Sequence, residues 1–571
     1  MPENRNQFAH YDRVPTLAMS RSKFPVSHTV KFSGNCGELL PIDCWEVLPG
    51  DTFRVQTNKV VRFQTLLSPI MDNIYMDIFW FYAPSRILWD HWKNFMGESE
   101  RAWYPANTYT IPVIESDGDH LFQQGSIADY LGIPPNTAKL KVNALPFRMY
   151  AMICNEFFRD QNLIDPLPVY TGDATKNAAQ NRSTLDTYAA GGLPFIAAKK
   201  HDVFTSCTPG PIKGPSVLIP GGFVNLVAPV IGADMFNNLD NALVGAFSKP
   251  ATWSNGSTGP KRRFSKDSET VNVVETGNTA GYYARNLGID TSNMLSDGFT
   301  NEVVNGTIDQ LRMAFQINKL LFRDMLGGSR YRELLRQHFN VVSPDASLQI
   351  PQYLGGNRFP IVVNQIANTG ETETAKLGNV GAMSVTTDQH DDFVFSSSES
   401  GYIMCLGVVR YDHTYGQGIH RMWSKKTRYD VYWPELAHVS NMPVYTRELD
   451  ARYGNYTWTD TTDPDNPVTY EGNRVFGYQE AWYDYRYIAD RTCGEMRPGV
   501  SNTLASWHLA DYYAEEPSLS PEWINEDKAN VDRCLAVTSE VANQFWADFY
   551  FKVEATRPMP VYSIPGLADH M

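Results

Sequence analysis

Two places in the sequence bring histidines and carboxylates close enough to suggest metal chemistry. One is Asp412, His413 and His420; the other is Asp388, His390, Asp391 and Asp392. Zinc sites space their ligands in short recurrent patterns, and calcium loops need several oxygens at fixed positions. Neither set has such a spacing. Asp460, Asp463 and Asp465 approximate a calcium loop, but Pro464 and Pro467 break the EF-hand pattern. The favoured reading of all three is solvated or paired acids, with no metal and no cofactor. The seven cysteines form no CxxC pair and are odd in number. They read as reduced thiols of a protein assembled in the cytoplasm, not as a disulfide framework. No P-loop, HExxH, GxSxG or Rossmann glycine pattern occurs, so no catalytic residue is assigned. Arg323, Arg330, Arg332 and Arg336 stand among Asp324 and Glu333. They read first as salt bridges on helix faces, and second as a contact with a neighbouring subunit or a genome.

Composition narrows the field further. At 571 residues the chain exceeds the roughly 250–300 residues of one simple core. It is either several domains or one domain with large insertions. Aromatic residues make up 13%, and Gly, Pro, Asn and Thr are frequent, which favours strands with long loops over a helical bundle. A net charge of −14 argues against nucleic-acid binding by bulk charge. The polar N-terminus lacks a signal-peptide core, and the weakly polar run 221–236 is too short to span a bilayer. Neither signal-directed export nor membrane insertion is expected.

The elements that would position any site read mostly as strands. Phe53 and Val55 alternate with Arg54 and Gln56 after the turn Pro49-Gly50-Asp51, and Val61 and Phe63 alternate with Arg62 and Gln64. Met76 to Tyr82 is apolar on both faces and reads as a central strand ended by Pro84. Tyr402–Val409, Tyr429–Trp433 and the alternating Phe549, Phe551 and Val553 give further strands. Met149 to Phe158 reads as helix. Glu156, Arg159 and Asp160 at its end read as ion pairs.

The clearest helix follows Thr307-Ile308-Asp309-Gln310, a capping-box pattern. Leu311, Ala314, Phe315, Leu321, Phe322 and Met325 share one face, and Gly327-Gly328 is the stop. The helix should be roughly 30 Å long. A short second helix should bury Tyr331, Leu334, Leu335 and His338.

In this stretch Phe315-Gln316-Ile317-Asn318-Lys319-Leu320-Leu321, Arg323-Asp324 and Gly327-Gly328-Ser329-Arg330-Tyr331 closely resemble the major capsid protein of the gokushovirus branch of small single-stranded DNA phages, the microviruses. Asn155-Glu156-Phe157-Phe158-Arg159-Asp160-Gln161-Asn162, Phe476-Gly477-Tyr478-Gln479-Glu480 and Arg557-Pro558-Met559-Pro560 extend the resemblance from about residue 28 to the end. It is weakest across 208–305. The resemblance implies an all-β, eight-stranded antiparallel jelly roll of viral coat type, with long, partly helical insertions. It further implies self-association into pentamers and a T=1 icosahedral shell around a circular single-stranded DNA genome. A small basic DNA-binding protein inside would supply the charge that this acidic chain lacks. Such a protein belongs to the virion and is assembled in the bacterial host cytoplasm. The alternative is an all-β carbohydrate-active enzyme or carbohydrate-binding protein, also rich in Trp and Tyr, which as a glycosidase needs two facing carboxylates.

The expected organisation is an N-terminal arm over 1–27, a jelly-roll domain over 28–571, a surface insertion at 208–305 and a helical insertion at 307–339. In the arm Arg5, Arg13, Arg21 and Lys23 outnumber the acids. It reads either as a solvated terminus or as a contact with DNA or a neighbouring subunit. In the insertion Phe223, Val227, Val230, Ile231 and Phe236 are too apolar for an isolated exposed loop. They are expected to pack between copies in an outward protrusion that meets a host cell-surface receptor. The alternative is that this segment folds back onto its own subunit.

Overall fold

A computed structural model describes residues 20–99, 108–182, 185–215, 217, 262–267, 270–275, 308–367, 380–453, 455–460 and 468–563. The chain divides into two compact units, one of Met1–Lys213 with Phe322–Met571 and one of Gly214–Leu321. The expected sites Arg5, Arg13, Phe223, Val227, Val230, Ile231 and Phe236, and the capping residue Thr307, lie outside the described residues.

The larger unit is built on two antiparallel sheets. In chain order its main strands are β1 (Ser22–Pro25), β2 (His28–Gly34), β3 (Leu40–Val47), β4 (Thr52–Phe63), β5 (Ile74–Pro84), β6 (Gln352–Ile361), β7 (Thr386–Ser396), β8 (Gly401–Tyr411) and β9 (Phe545–Arg557). One sheet runs β9–β4–β7, with β1 and β2 both paired to the far side of β9. The other runs β6–β5–β8–β3. Between them lies a core to which Phe53, Val55, Trp80, Ile403, Phe549 and Phe551 contribute. Each such side chain, fully buried, stabilises the fold by about 1.5–3 kcal/mol.

The local chemistry explains these strands. Gly50 takes the turn at φ +86°, a conformation costly for any side chain, and Asp51 accepts from the Leu48 N–H at 2.9 Å. Val55, Thr57, Val60 and Val61 then favour extended backbone, so both expected short strands form one twelve-residue strand, β4. β5 is buried along most of both faces and ends at Pro84, as its uninterrupted apolar run requires. Gly356 is needed where β6 meets β5, since an added Cβ would sit 2.2 Å from the Ile78 carbonyl oxygen.

The outer face of the β6–β5–β8–β3 sheet is covered by the segment that follows β5. Helix α1 (Leu145–Ile153) runs into a π-helical turn at Cys154–Phe158. It sets Phe147, Met149, Tyr150 and Ile153 against Phe81, Met404, Leu406 and Val408. Buried Arg148 donates to the Leu88 and Gly172 carbonyls at 3.1 and 2.8 Å, and Tyr150 donates to the Leu39 carbonyl at 2.7 Å. These bonds offset the cost of burying polar groups here. Among the described residues the outer face of the other sheet carries no such cover: Lys31, Arg54, Asn58, Arg62, Trp546, Tyr550 and Lys552 are exposed.

Tyr429–Trp433 is not a strand. It lies between two 3-10 turns, Arg428–Asp430 and Pro434–Leu436. The Asp430 carboxylate accepts from the Lys426 and Thr427 backbone and from the Thr427 hydroxyl, which fixes a turn where β-propensity alone favoured extension. Helix α2 (Ile308–Gly327) ends at the expected glycines, with Gly328 at φ +101°, and α3 (Tyr331–Phe339) follows. Their apolar stripes are only partly covered. Met325 is buried, but Phe315 is 58% exposed and Tyr331, expected on the buried side, is 65% exposed.

In the smaller unit the described strands Arg262–Asp267 and Thr270–Glu275 form an antiparallel hairpin.

Candidate functional site

The histidines and acids that suggested metal chemistry are used in other ways. His413 follows β8 directly and is closed in by partners from distant segments. Its Nδ1 lies 2.9 Å from Asp511 Oδ1, and its Nε2 lies 3.0 Å from Glu526 Oε1, in ion-pair contact but off the hydrogen-bond axis. Lys199 Nζ is 3.1 Å from Asp511 Oδ2, and Tyr513 and Asn530 donate to the same carboxylate at 3.0 and 2.8 Å. The four ionisable side chains are at most 4% exposed. Burial alone would lower the His413 pKa, but Asp511 and Glu526 outweigh it and push it up to about 10. Burial alone would raise the Asp511 pKa, but His413 and Lys199 hold it well below the usual carboxylate range. Two basic and two acidic side chains therefore face one another in a buried set, which suits a structural lock.

Asp412, Asp388 and Asp392 are likewise engaged, while Asp391 is exposed. Asp412 pairs with Lys200. His420 accepts from the Met422 N–H and so starts a 3-10 turn. Asp388 pairs with buried Lys59 at 3.2 Å and accepts from Asn357 at 2.6 Å. Buried Asp392 accepts from Thr57. No group of three potential ligands gathers among the described residues. Side chains of the 460–465 acids lie outside them. All seven cysteines are free, and of them only Cys493 is exposed.

Of the four arginines, Arg330 and Arg332 make ion pairs and backbone contacts, whereas Arg323 and Arg336 are exposed, with no ion pair among the described residues. Arg330 sits 3.6 Å from Glu333 and donates to the Asn155 and Arg159 carbonyls, while Arg332 pairs with Asp345 at 3.4 Å. Asp324 pairs with His338 at 2.6 Å. The expected ion pairs at the end of α1 do not form among the described residues. Arg159 donates to the Ile164 carbonyl, and Asp160 accepts from the Asn162 and Leu163 N–H groups. Each polar group there satisfies an otherwise unpaired turn.

Of the arm residues, Arg21 donates to the Gly50 carbonyl, and Lys23 on β1 pairs with Glu554 on β9 at 2.8 Å. The chain therefore already holds both by one contact each. The Lys23 side chain remains 60% exposed.

Among the described residues, exposed large apolar side chains are frequent in two regions. On α2, Ile308, Met313, Phe315 and Leu320 face solvent. In the turn-rich stretch after β8, Met422, Trp423, Tyr429 and Tyr432 do so, and Trp423 is 73% exposed. Beside the latter opens a cavity of about 450 Å³ walled by Phe204, Tyr415, Trp423, Tyr483 and Ile488. Soluble monomers avoid contiguous apolar surface of this kind, and proteins that associate carry it. Among the described residues no helix is long and apolar enough to cross a membrane.

Sequence reading missed Lys199, Asp511 and Glu526, because nothing in their local context marks them. The uncovered sheet face had a signal in the alternation of Tyr550, Lys552 and Glu554 with apolar residues.

The comparisons with known proteins agree with one another. The family model described as capsid protein (F protein) matches residues 12–567. Capsid protein VP1 of Chlamydia phage 1 is 34% identical over 596 residues, covering 98% of this chain and 97% of the relative. VP1 of Spiroplasma virus 4 is 34% identical over 555 residues, covering 96% and 95%. VP1 of Bdellovibrio phage phiMH2K is 33% identical over 566 residues, covering 99% and 98%.

Proposed function

This chain belongs to the capsid protein (F protein) family of phages, and on that premise we propose that its copies close a T=1 icosahedral shell around a circular single-stranded DNA genome. The family is one of shell proteins, not enzymes, so the carbohydrate-active alternative falls. The observation that carries the reading is the match of the family along almost the whole chain. The fold supports it. Strands β2 to β9 make two four-stranded sheets in the orders β2–β9–β4–β7 and β6–β5–β8–β3, an order that fits an eight-stranded jelly roll. Such sandwiches suit shells because the loops at their ends are free to meet neighbours.

Copies meet through the exposed apolar surfaces of α2 and of the stretch after β8, first as pentamers and then as the shell. A small basic protein supplies most of the charge that balances the genome. The insertion at 208–305 forms the protrusion that meets a host receptor, with Phe223, Val227, Val230, Ile231 and Phe236 packed between copies. Sedimentation and electron microscopy of the purified full-length chain test the assembly reading, and closed shells or pentamers are expected. A monomer at every concentration and salt condition overturns it. Replacing residues 215–297 by a Gly-Ser linker tests the protrusion. Intact shells that adsorb poorly to host cells are expected, and normal adsorption overturns the receptor role.

A further inference from the structure

The two outer faces of the sandwich differ in a way that assigns one of them a ligand. The face of the β6–β5–β8–β3 sheet is buried beneath the chain's own α1 segment. Among the described residues nothing is laid over the face of the other sheet, which carries aromatic rings and cations. Trp546 and Tyr550 are 43% and 41% exposed. They stand four positions apart on β9, hence on one side and about 13 Å from each other. Across the ladder Trp546 lies between Ser33 and Arg62, Tyr550 between Thr29 and Asn58, and Lys552 beside Gln56. Two shallow grooves follow the rings. One, of about 630 Å³, passes Lys31, Arg62 and Trp546; the other, of about 560 Å³, passes Thr29, Asn58 and Tyr550.

Charge on this face opposes that of the whole chain. Lys23, Lys31, Arg54, Arg62 and Lys552 outnumber Asp391, Asp548 and Glu554, although the net charge is −14. Lys31 and Lys23 neutralise Asp548 and Glu554 at 2.9 and 2.8 Å. Arg62 and Lys552 have no salt bridge among the described residues, so their charge is available to a ligand. A second protein would need an apolar centre to its footprint. Here the rings are separated by Asp548, Asn58 and Lys31 instead. Isolated rings flanked by cations are what a single-stranded nucleic acid uses, since every base can stack and every linkage carries a phosphate.

We propose that this bare face binds single-stranded DNA, with bases stacked on Trp546 and Tyr550 and phosphates held by Arg62 and Lys552. The proposal rests on the reading of the chain as a genome-enclosing shell, and it adds which surface turns to the lumen.

The test uses particles of the full-length chain loaded with bromouracil-substituted single-stranded DNA, irradiated and mapped by mass spectrometry. Binding of an oligo-dT probe to the unassembled full-length chain, whose sheet face is open to solution, is measured alongside as a function of salt. Crosslinks are expected on the peptide holding Trp546 and Tyr550. The pair Trp546→Ala with Tyr550→Ala should bind the probe about 10- to 100-fold more weakly, and the ring-preserving pair Trp546→Phe with Tyr550→Phe within about threefold. Arg62→Gln with Lys552→Gln should flatten the slope of log affinity against log salt by about 1.4. Tyr170→Ala, 42% exposed on the segment that follows α1 and away from this face, should change nothing. Crosslinks only elsewhere, or unchanged affinity in the alanine pair, overturn the proposal. If the alanine pair fails to assemble, the glutamine pair decides, and an unchanged salt slope overturns it. Unsubstituted shells that neither contain nor bind DNA would instead overturn the enclosure reading, taking this proposal with it.

Discussion

β8 and β9 are both interior strands of antiparallel sheets in one sandwich, yet they meet the outside differently. β8 is buried on both faces over nearly its whole length, while β9 alternates buried Phe549, Phe551 and Val553 with exposed Tyr550 and Lys552. The hydrogen-bonded ladders are of the same kind, so the contrast lies in what is laid over each sheet. A covered sheet tolerates apolar residues at every position and depends on its cover. A bare sheet needs polar residues at every second position and keeps them free for other contacts.

The largest expected effect tests whether the covered side depends on being locked. Lys199, Asp511, His413 and Glu526 tie the segment after α1 to the stretch after β8. Removing one member leaves opposite charges buried without compensation, so His413→Ala should cost about 3–5 kcal/mol in chemical denaturation. The pH profile carries the sign. The His413 pKa is raised, so its contribution is fully present below the unfolded value of about 6.5 and is lost as pH rises through about 10. The Asp511 pKa is depressed, so its contribution is present above about 3.9 and is lost as pH falls toward its folded value. His413→Ala should abolish the alkaline decline. An unchanged alkaline limb would show that other groups set it.

The next effect compares the sheets directly. Leu406 on β8 is fully buried against α1, and Leu406→Ala should cost about 2–5 kcal/mol by the same measurement. Tyr550→Ser on the bare face is expected to shift stability by no more than about 0.5 kcal/mol. Equal costs at the two positions would break the comparison, because the bare face would then be packed against something within the chain.

Much of this contrast was legible in the sequence. Met76–Tyr82 has apolar residues on both faces, and Phe549–Val553 alternates, so the covered and half-exposed strands could be told apart by period alone. Gly327-Gly328 gave the helix end for a steric reason that holds in any context. Tyr429–Trp433 misled because its aromatic, β-branched composition favours extension, while one carboxylate, Asp430, holds the backbone in a turn. The ionic lock was invisible, since its members lie far apart in sequence and each has unremarkable neighbours. Tyr331 on α3 misled for another reason: periodicity says which residues share a face but not whether anything covers it within one chain.

The strand order also has a consequence for the making of the protein. β9 lies between β2 and β4, and Asn35 at the end of β2 donates to Asn543, 508 residues later. At translation rates of about 5–20 residues per second, β2 and β4 wait roughly 25–100 s for the strand that joins them. The β6–β5–β8–β3 sheet and its cover are complete once β8 has emerged. Over that interval the bare sheet has an open slot with unpaired backbone on both sides, a template for strands of other chains. The polar and charged side chains along β2 and β4 thus also act as gatekeepers during synthesis, and a chain truncated before β9 should aggregate through that slot.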